Sequence, residues 1–322
     1  MNPQNYGFSF NNIQIKEDLF IKEGKNQLGI DKIQKETQFY LYITNNNIPF
    51  SIPRYIDSTH NSLTIEYLKN TNTLTNHINQ ENIDHYYQHI IKHLEPIHKI
   101  EKETSIEQIK QDILYEIETK VIERYNKTDW KILIDSSHIN EIKTINNIPF
   151  KTIEFYIDQI KRKIMKIIDR TKPNTYQLIH GDIHLGNILL ENEEENLNPC
   201  LDPCLHNIDP HLYFIDPRGF FGKTPLFGLK EYDHAKLLFG LSGYSIFDTM
   251  EIETLDIENG NINVEWIQQH EYLFDKPYWT ELQILLCLSI WLGNNSCFIN
   301  PKKKITSLMI AFYYCEKILG PF

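Results

Sequence analysis

Eight residues constrain this chain more than any others: His180-Gly181-Asp182-Ile183-His184-Leu185-Gly186-Asn187, preceded by Leu178-Ile179 and followed by Ile188-Leu189-Leu190. The fixed positions, written H-G-D-x-H-x-x-N, match by chance in roughly one chain in ten thousand at average residue usage. The apolar runs on either side read as two short buried strands, so the polar residues fall in the loop between them. A loop held by a rigid scaffold is where a set of chemically active side chains is expected. A single His or Asp in a turn is usually a cap or a satisfied polar group. A run of this composition asks for another explanation.

The chain divides around this loop. Residues 12–15 and 18–22 read as a hairpin, with Gly24 opening a turn, and residues 29–43 place Ile30, Ile33, Tyr40 and Ile43 at broadly helical spacing. Residues 45–53 are rich in turn formers, and residues 62–68 are strand-like. Beyond residue 70 the period becomes helical. Tyr86, Ile90, Leu94 and Ile97 make one stripe over residues 83–100, and residues 106–125 and 153–168 are amphipathic. Residues 138–150 read as a loop, 177–190 and 212–215 contain short β segments, and 232–319 are mainly helical with a loop at 260–263. The expectation is an α+β fold of two lobes. A small antiparallel-sheet lobe (residues 1–69) joins a larger, mainly helical lobe (70–322) near Glu66, with a cleft between them.

Composition narrows the function classes. The 322 residues carry 43 acidic and 32 basic side chains, a net charge of −11, which argues against a nucleic-acid partner. Residues 1–10 lack the basic and apolar regions of a secretion signal, and the longest apolar run, residues 284–292, is too short to span a bilayer. No membrane insertion is expected. Five scattered cysteines fit a reducing, cytoplasmic setting better than a disulfide framework.

The central motif resembles the catalytic loop of the aminoglycoside phosphotransferase and choline kinase superfamily, which has a two-lobed, protein-kinase-like fold. The likeness continues at Tyr213-Phe214-Ile215-Asp216-Pro217-Arg218-Gly219, in the place of that family's second metal-binding aspartate. It implies transfer of a phosphoryl group from ATP, or another nucleoside triphosphate, to a hydroxyl of a small molecule. Phosphoryl transfer needs one carboxylate beside the hydroxyl, a role that suits Asp182. An amide and a further carboxylate then hold Mg2+ on the phosphates, which suits Asn187 and Asp216. His180 suits orientation of the loop by hydrogen bonds. In the amino-terminal lobe the resemblance implies a phosphate-contacting lysine at Lys22, its partner Glu36 on the following helix, and a hinge whose backbone at Glu66 and Leu68 meets the base. The phosphate-covering loop, Tyr6-Gly7-Phe8-Ser9-Phe10, departs from the family in having one glycine, so either Ser9 and nearby amides approach the phosphates or nucleotide binding is weak. Asp233, in Lys230-Glu231-Tyr232-Asp233-His234-Ala235-Lys236-Leu237, reads as a helix-start residue that bonds the catalytic loop.

Lys120 and Arg124 lie one helical turn apart on one face, and with Arg218 they are candidates for substrate contact. That helix is weakly similar to phosphotransferase-like proteins of capsule and surface-polysaccharide clusters, which implies a sugar or sugar derivative as acceptor. A choline or ethanolamine acceptor is the alternative, and a non-catalytic nucleotide-binding module is the alternative of another class. A protein kinase is disfavoured, because Gly181 stands where H-R-D has arginine and no A-P-E follows Asp216. Cys200, Cys204, His206 and His211 contain thiols and imidazoles, but their spacing is not a standard zinc pattern, and the stretch is expected to be a plain loop.

Overall fold

The computed structural model describes residues 10–128, 130, 142–191 and 211–320. Strands β1 (Asn11–Lys16) and β2 (Leu19–Gly24) pair as a hairpin. Helix α1 (Gln27–Asn45) follows at once, its first turn closed by the Asn26 side chain accepting the Gly29 N–H. Strands β3 (Tyr55–Ser58) and β4 (Ser62–Glu66) complete an antiparallel sheet in the order β1-β2-β4-β3. Ile33 and Tyr40 of α1 meet Leu63 and Ile65 of β4 in a small core of their own. Gly29 is required where α1 crosses the chain start, since a Cβ there would stand 2.3 Å from the Phe10 carbonyl oxygen.

The rest is helical around a much larger core. Strand β5 (Thr71–Thr73) leads to α2 (Ile83–His98), β6 (Glu101–Glu103) and α3 (Ile106–Leu114). A wider π turn at Tyr115–Thr119 joins α3 to α4 (Lys120–Asn126), so the helix expected over residues 106–125 is present and runs on without a gap, with a π turn inside it. The turn buries Glu116 and Ile117, and such bulges recur at functional positions. Helix α5 (Ile153–Thr171) buries Ile153, Tyr156, Ile157, Ile160, Ile164 and Ile168, a face of period 3.6.

Two three-stranded sheets then frame the central loop. Strand β7 (Thr175–Leu178) lies between β6 and a short strand at Phe227–Gly228, while β8 (Ile188–Glu191) lies between β5 and β9 (Leu212–Phe214). Residues 179–187 connect the two sheets. Helices α6 (Lys230–Phe239), α7 (Glu281–Leu292) and α8 (Pro301–Leu319) close the lobe. The segment expected to be a loop at 138–150 instead carries strands Thr144–Ile145 and Ile148–Pro149, turned by Asn146 and Asn147, both at positive φ. Such a pair makes a tight hairpin turn, and the hairpin adds to a second one at Ile257–Ile262. No helix among the described residues is long and apolar enough to cross a membrane.

Candidate active site

The central loop is anchored from below. Asp233, in the first turn of α6, is fully buried and accepts the His180 N–H at 3.0 Å and the Gly181 N–H at 2.6 Å. His98, at the end of α2, donates Nε2 to the same carboxylate at 3.0 Å. Burial opposes ionisation of Asp233, but the hydrogen bond and charge of His98 outweigh it and hold the carboxyl below its usual range. Gly181 has φ +84° and runs beside Arg218 and Phe220, a conformation and a spacing that favour glycine.

His180 sits in an aromatic nest. Its ring meets Phe39 of α1 edge-on at 5.9 Å and Phe214 at 6.4 Å, and Phe50 stacks on Phe214 at 5.0 Å. Burying rings of this size is worth roughly 2–3 kcal/mol each, so the nest also ties α1 to the large core. Burial pushes the His180 imidazole down to about 4, against the pull of Asp233 and Asp182. It is therefore neutral near pH 7, and its Nδ1 accepts the Asp182 N–H at 3.3 Å. This is the bonding of an orienting residue.

Asp182 keeps about a third of its side chain exposed (33%) and bonds the Lys236 ammonium at 2.8 Å. Burial raises its pKa, but Lys236 and His184 outweigh that and hold the carboxyl well below its usual range. Asn187 ties back to the loop by donating Nδ2 to the Asp182 carbonyl at 3.0 Å, and its own carbonyl accepts the Ile215 N–H at 3.0 Å. That second bond brings Asp216 alongside. Asp216 takes a positive φ of +56°, sparsely populated and recurrent at functional sites. Lys22, buried on β2, bonds Glu36 Oε1 of α1 at 2.7 Å and also touches the Asp216 carboxylate. Lys22 and Glu36 thus reach Asp216, and the backbone of Ile215, next to Asp216, ties to Asn187 and so to the Asp182 backbone.

At the end of β4, Glu66 N–H donates to the Arg54 carbonyl at 2.9 Å, and Thr71 Oγ1 donates to the Leu68 carbonyl at 3.0 Å. Ser9, Cys200, Cys204 and His206 lie outside the described residues. His211 is exposed beside Tyr213.

Arg218 is not free to meet a substrate. Its guanidinium lies over Phe220 and forks onto Glu116, with Nη1 3.1 Å from Oε2 and Nη2 on Oε1. Lys120 Nζ reaches Glu116 Oε2 at 2.7 Å, the Tyr232 hydroxyl donates to it at 2.9 Å, and the Gly222 N–H donates to Oε1 at 3.1 Å. Burial opposes ionisation of Glu116, and Arg218 with Lys120 overcomes it. Sequence reading missed Glu116 and Lys236. Lys236 stood three residues after Asp233 in a stretch already singled out, about one turn further along the same helix; Glu116 was a lone acid on the apolar face of residues 106–125.

A loop of Asp and Asn and a buried Lys–Glu pair meet where Lys22 touches Asp216, an arrangement that fits a kinase-like phosphotransferase. The sequence profile of the phosphotransferase enzyme family matches residues 7–202, and the chain belongs to that family. It is a small-molecule phosphotransferase with a hydroxyl acceptor. Among solved structures, a choline/ethanolamine kinase family protein from Mesorhizobium loti is 7% identical, with 99% of this chain and 88% of that one covered at a TM-score of 0.51. The aminoglycoside phosphotransferase APH(2'')-Ib, solved with ADP bound, is 13% identical, with 96% and 90% covered at a TM-score of 0.50. At these identities the likeness is one of fold. No curated protein matches the chain significantly.

Proposed function

We infer that this chain transfers the γ-phosphoryl group of ATP, with Mg2+, to a hydroxyl of a sugar or sugar derivative. The observation that carries the reading is the linkage from Glu36 and Lys22 to Asp216, and from the neighbouring Ile215 backbone through Asn187 to the Asp182 backbone. Residues 1–69 act as the nucleotide clamp and residues 70–322 as the catalytic and acceptor lobe, a division supported by the separate small core of Ile33, Tyr40, Leu63 and Ile65. Lys22 holds phosphate oxygens, Glu36 fixes Lys22, and the backbone at Glu66 and Leu68 faces the base.

The donor set fits a hard cation. The Asn187 amide is pinned through Nδ2, which leaves its Oδ1 as acceptor, and the Asp216 carboxylate is 47% exposed. Asn187 and Asp216 would hold Mg2+, whose chemistry is to neutralise phosphate charge. Asp182, kept ionised by Lys236, accepts a hydrogen bond from the acceptor hydroxyl and aligns it. The bond from that oxygen to the γ-phosphorus forms, the bond from the γ-phosphorus to the β–γ bridging oxygen breaks, and the hydroxyl proton passes to Asp182. An amino-alcohol acceptor is disfavoured, because Asp182 is paired with the Lys236 ammonium, and Lys236 in turn lines a pocket with Lys120 and Arg124.

Isothermal titration of Mg–ATP together with turnover separates the roles. Asp182→Asn is expected to keep Mg–ATP affinity while turnover falls about a hundred- to ten-thousand-fold. Asp216→Asn is expected to weaken Mg-dependent ATP binding. Loss of nucleotide binding in Asp182→Asn with retention in Asp216→Asn would reverse the two roles, and normal behaviour of both would remove this site from the chemistry.

A further inference from the structure

A small pocket opens beside Asp182, walled by α4, α6, α7 and the turn after α7. Glu116, Lys120, Arg124, Tyr232, Lys236 and Asn294 supply its polar lining. Its free space is about 20 Å3, room for one water-sized polar group and not for a whole sugar.

The lining is unusual in sign. Four cations (Lys120, Arg124, Lys236 and, behind Glu116, Arg218) stand against two carboxylates, Glu116 and Asp182, in a protein whose net charge is −11. Glu116 has nothing left to offer a ligand: Oε1 accepts from Arg218 and Gly222, and Oε2 from Lys120, Arg218 and Tyr232. Donors, in contrast, are in surplus. Among the described residues, Arg124 makes a single hydrogen bond, from Nη1 to the Gly293 carbonyl at 3.0 Å, out of the five its fork can form. Asn294 is 6% exposed, and its Nδ2 is buried with no partner. An unpaired buried amide costs about 1–3 kcal/mol and is retained where something else bonds it. Burial, reinforced by the charge of Arg218, pushes the pKa of Lys120 well down, as expected of cations crowded beyond what Glu116 neutralises.

We propose that the acceptor carries an anionic group, a carboxylate or a phosphate, close to the hydroxyl that is phosphorylated, and that one oxygen of that group enters the pocket, where Arg124, Lys120, Lys236 and Asn294 bond it. The proposal rests on the kinase reading above. Lys236 sets the spacing, because it both lines the pocket and bonds Asp182. Two charge-assisted hydrogen bonds of roughly 2.8 Å through one tetrahedral ammonium put the anionic oxygen about 4.5–5 Å from the Asp182 oxygen, a few bonds along one small molecule. Arg124 is the specificity residue, since its guanidinium matches a planar or tetrahedral oxyanion with two parallel N–H groups.

The test uses the full chain saturated with Mg–ADP, so that the phosphate-binding end of the nucleotide site is occupied. Inorganic phosphate, acetate and tetramethylammonium are titrated separately by calorimetry against wild type, Arg124→Gln and the exposed control Lys166→Gln. Saturable binding of phosphate or acetate to wild type and to Lys166→Gln, weakened tenfold or more in Arg124→Gln, is the expected result. Phosphate binding without acetate assigns a phosphorylated acceptor, and the converse a carboxylate. Asn294→Leu, which removes the buried donor without removing charge, is expected to weaken the same anion about threefold to tenfold. Binding of tetramethylammonium in place of the anions, no binding of any probe, or equal binding in Arg124→Gln overturns the proposal while Mg–ADP binding leaves the kinase reading intact. Failure to bind Mg–ADP at all overturns the kinase reading and the proposal with it.

Discussion

Replacing Glu116 by glutamine tests whether the charge cluster behind the acceptor pocket is built around one carboxylate. Five donors converge on Glu116: two from Arg218, and one each from Lys120, Tyr232 and Gly222. A glutamine keeps one oxygen and turns an NH2 group toward the other set of donors. The less costly orientation gives up Oε1, which leaves the Gly222 N–H and one arm of Arg218 facing another donor. Breaking a buried ion pair by removing one partner costs about 3–5 kcal/mol. At roughly 2–4 °C per kcal/mol for large domains, the melting temperature is expected to fall by about 6–20 °C near neutral pH. The sign with pH is fixed by the direction of the shift. The folded carboxyl titrates well below its ordinary range, so its stabilisation is complete above the unfolded value of about 4.3 and is lost as pH falls below it. Melting curves of wild type and Glu116→Gln should therefore start to draw together below about pH 4 and meet only at pH values below the depressed folded value. Glu118→Gln removes a half-exposed pair with Lys161 two residues away and should change stability by at most about 1 kcal/mol. A Glu116→Gln melting temperature within 2 °C of wild type at pH 7, by the ~3 kcal/mol floor above, would refute the reasoning.

Lys22→Ala should abolish measurable Mg–ATP binding, since a buried ammonium shared by Glu36 and Asp216 is lost; unchanged titration curves would make Lys22 structural. Asp233→Asn cannot accept both the His180 and Gly181 amides, so turnover should fall about a hundredfold from loop misplacement, with Mg–ATP affinity retained. Wild-type turnover in that variant would detach Asp233 from loop geometry. Gly181→Ala meets a φ of +84° and the Arg218 Cβ at 3.1 Å, and calorimetry should register a loss of about 1–3 kcal/mol.

What the residues alone disclosed follows from how local each signal is. The central loop was legible because its polar residues and apolar flanks sit within thirteen consecutive positions, and the face of α5 because six isoleucine and tyrosine positions keep one period. The two hairpins at 144–149 and 257–262 were missed although their turns are written in the chain: Asn146-Asn147 and Asn259-Gly260 all take positive φ. Their strands are two residues long, too short for alternation to register beside the helical pattern around them. Glu116 is a different kind of omission. Its partner Arg218 is 102 residues away, and the helix bearing it reads as amphipathic with Glu116 as one more charge. Glu116 falls seven residues after Ile109 and three after Ile113, on the buried face of the stripe, and only folding brings Arg218, Lys120 and Tyr232 there to neutralise it. The three positions first read as substrate contacts are divided by the same event. Arg218 becomes the counter-ion that keeps Glu116 charged, Lys120 lines the pocket beside that pair, and Arg124 makes one hydrogen bond among the described residues. An acidic chain thus builds a cationic pocket that shares Lys236 with Asp182, which its net charge alone would never disclose.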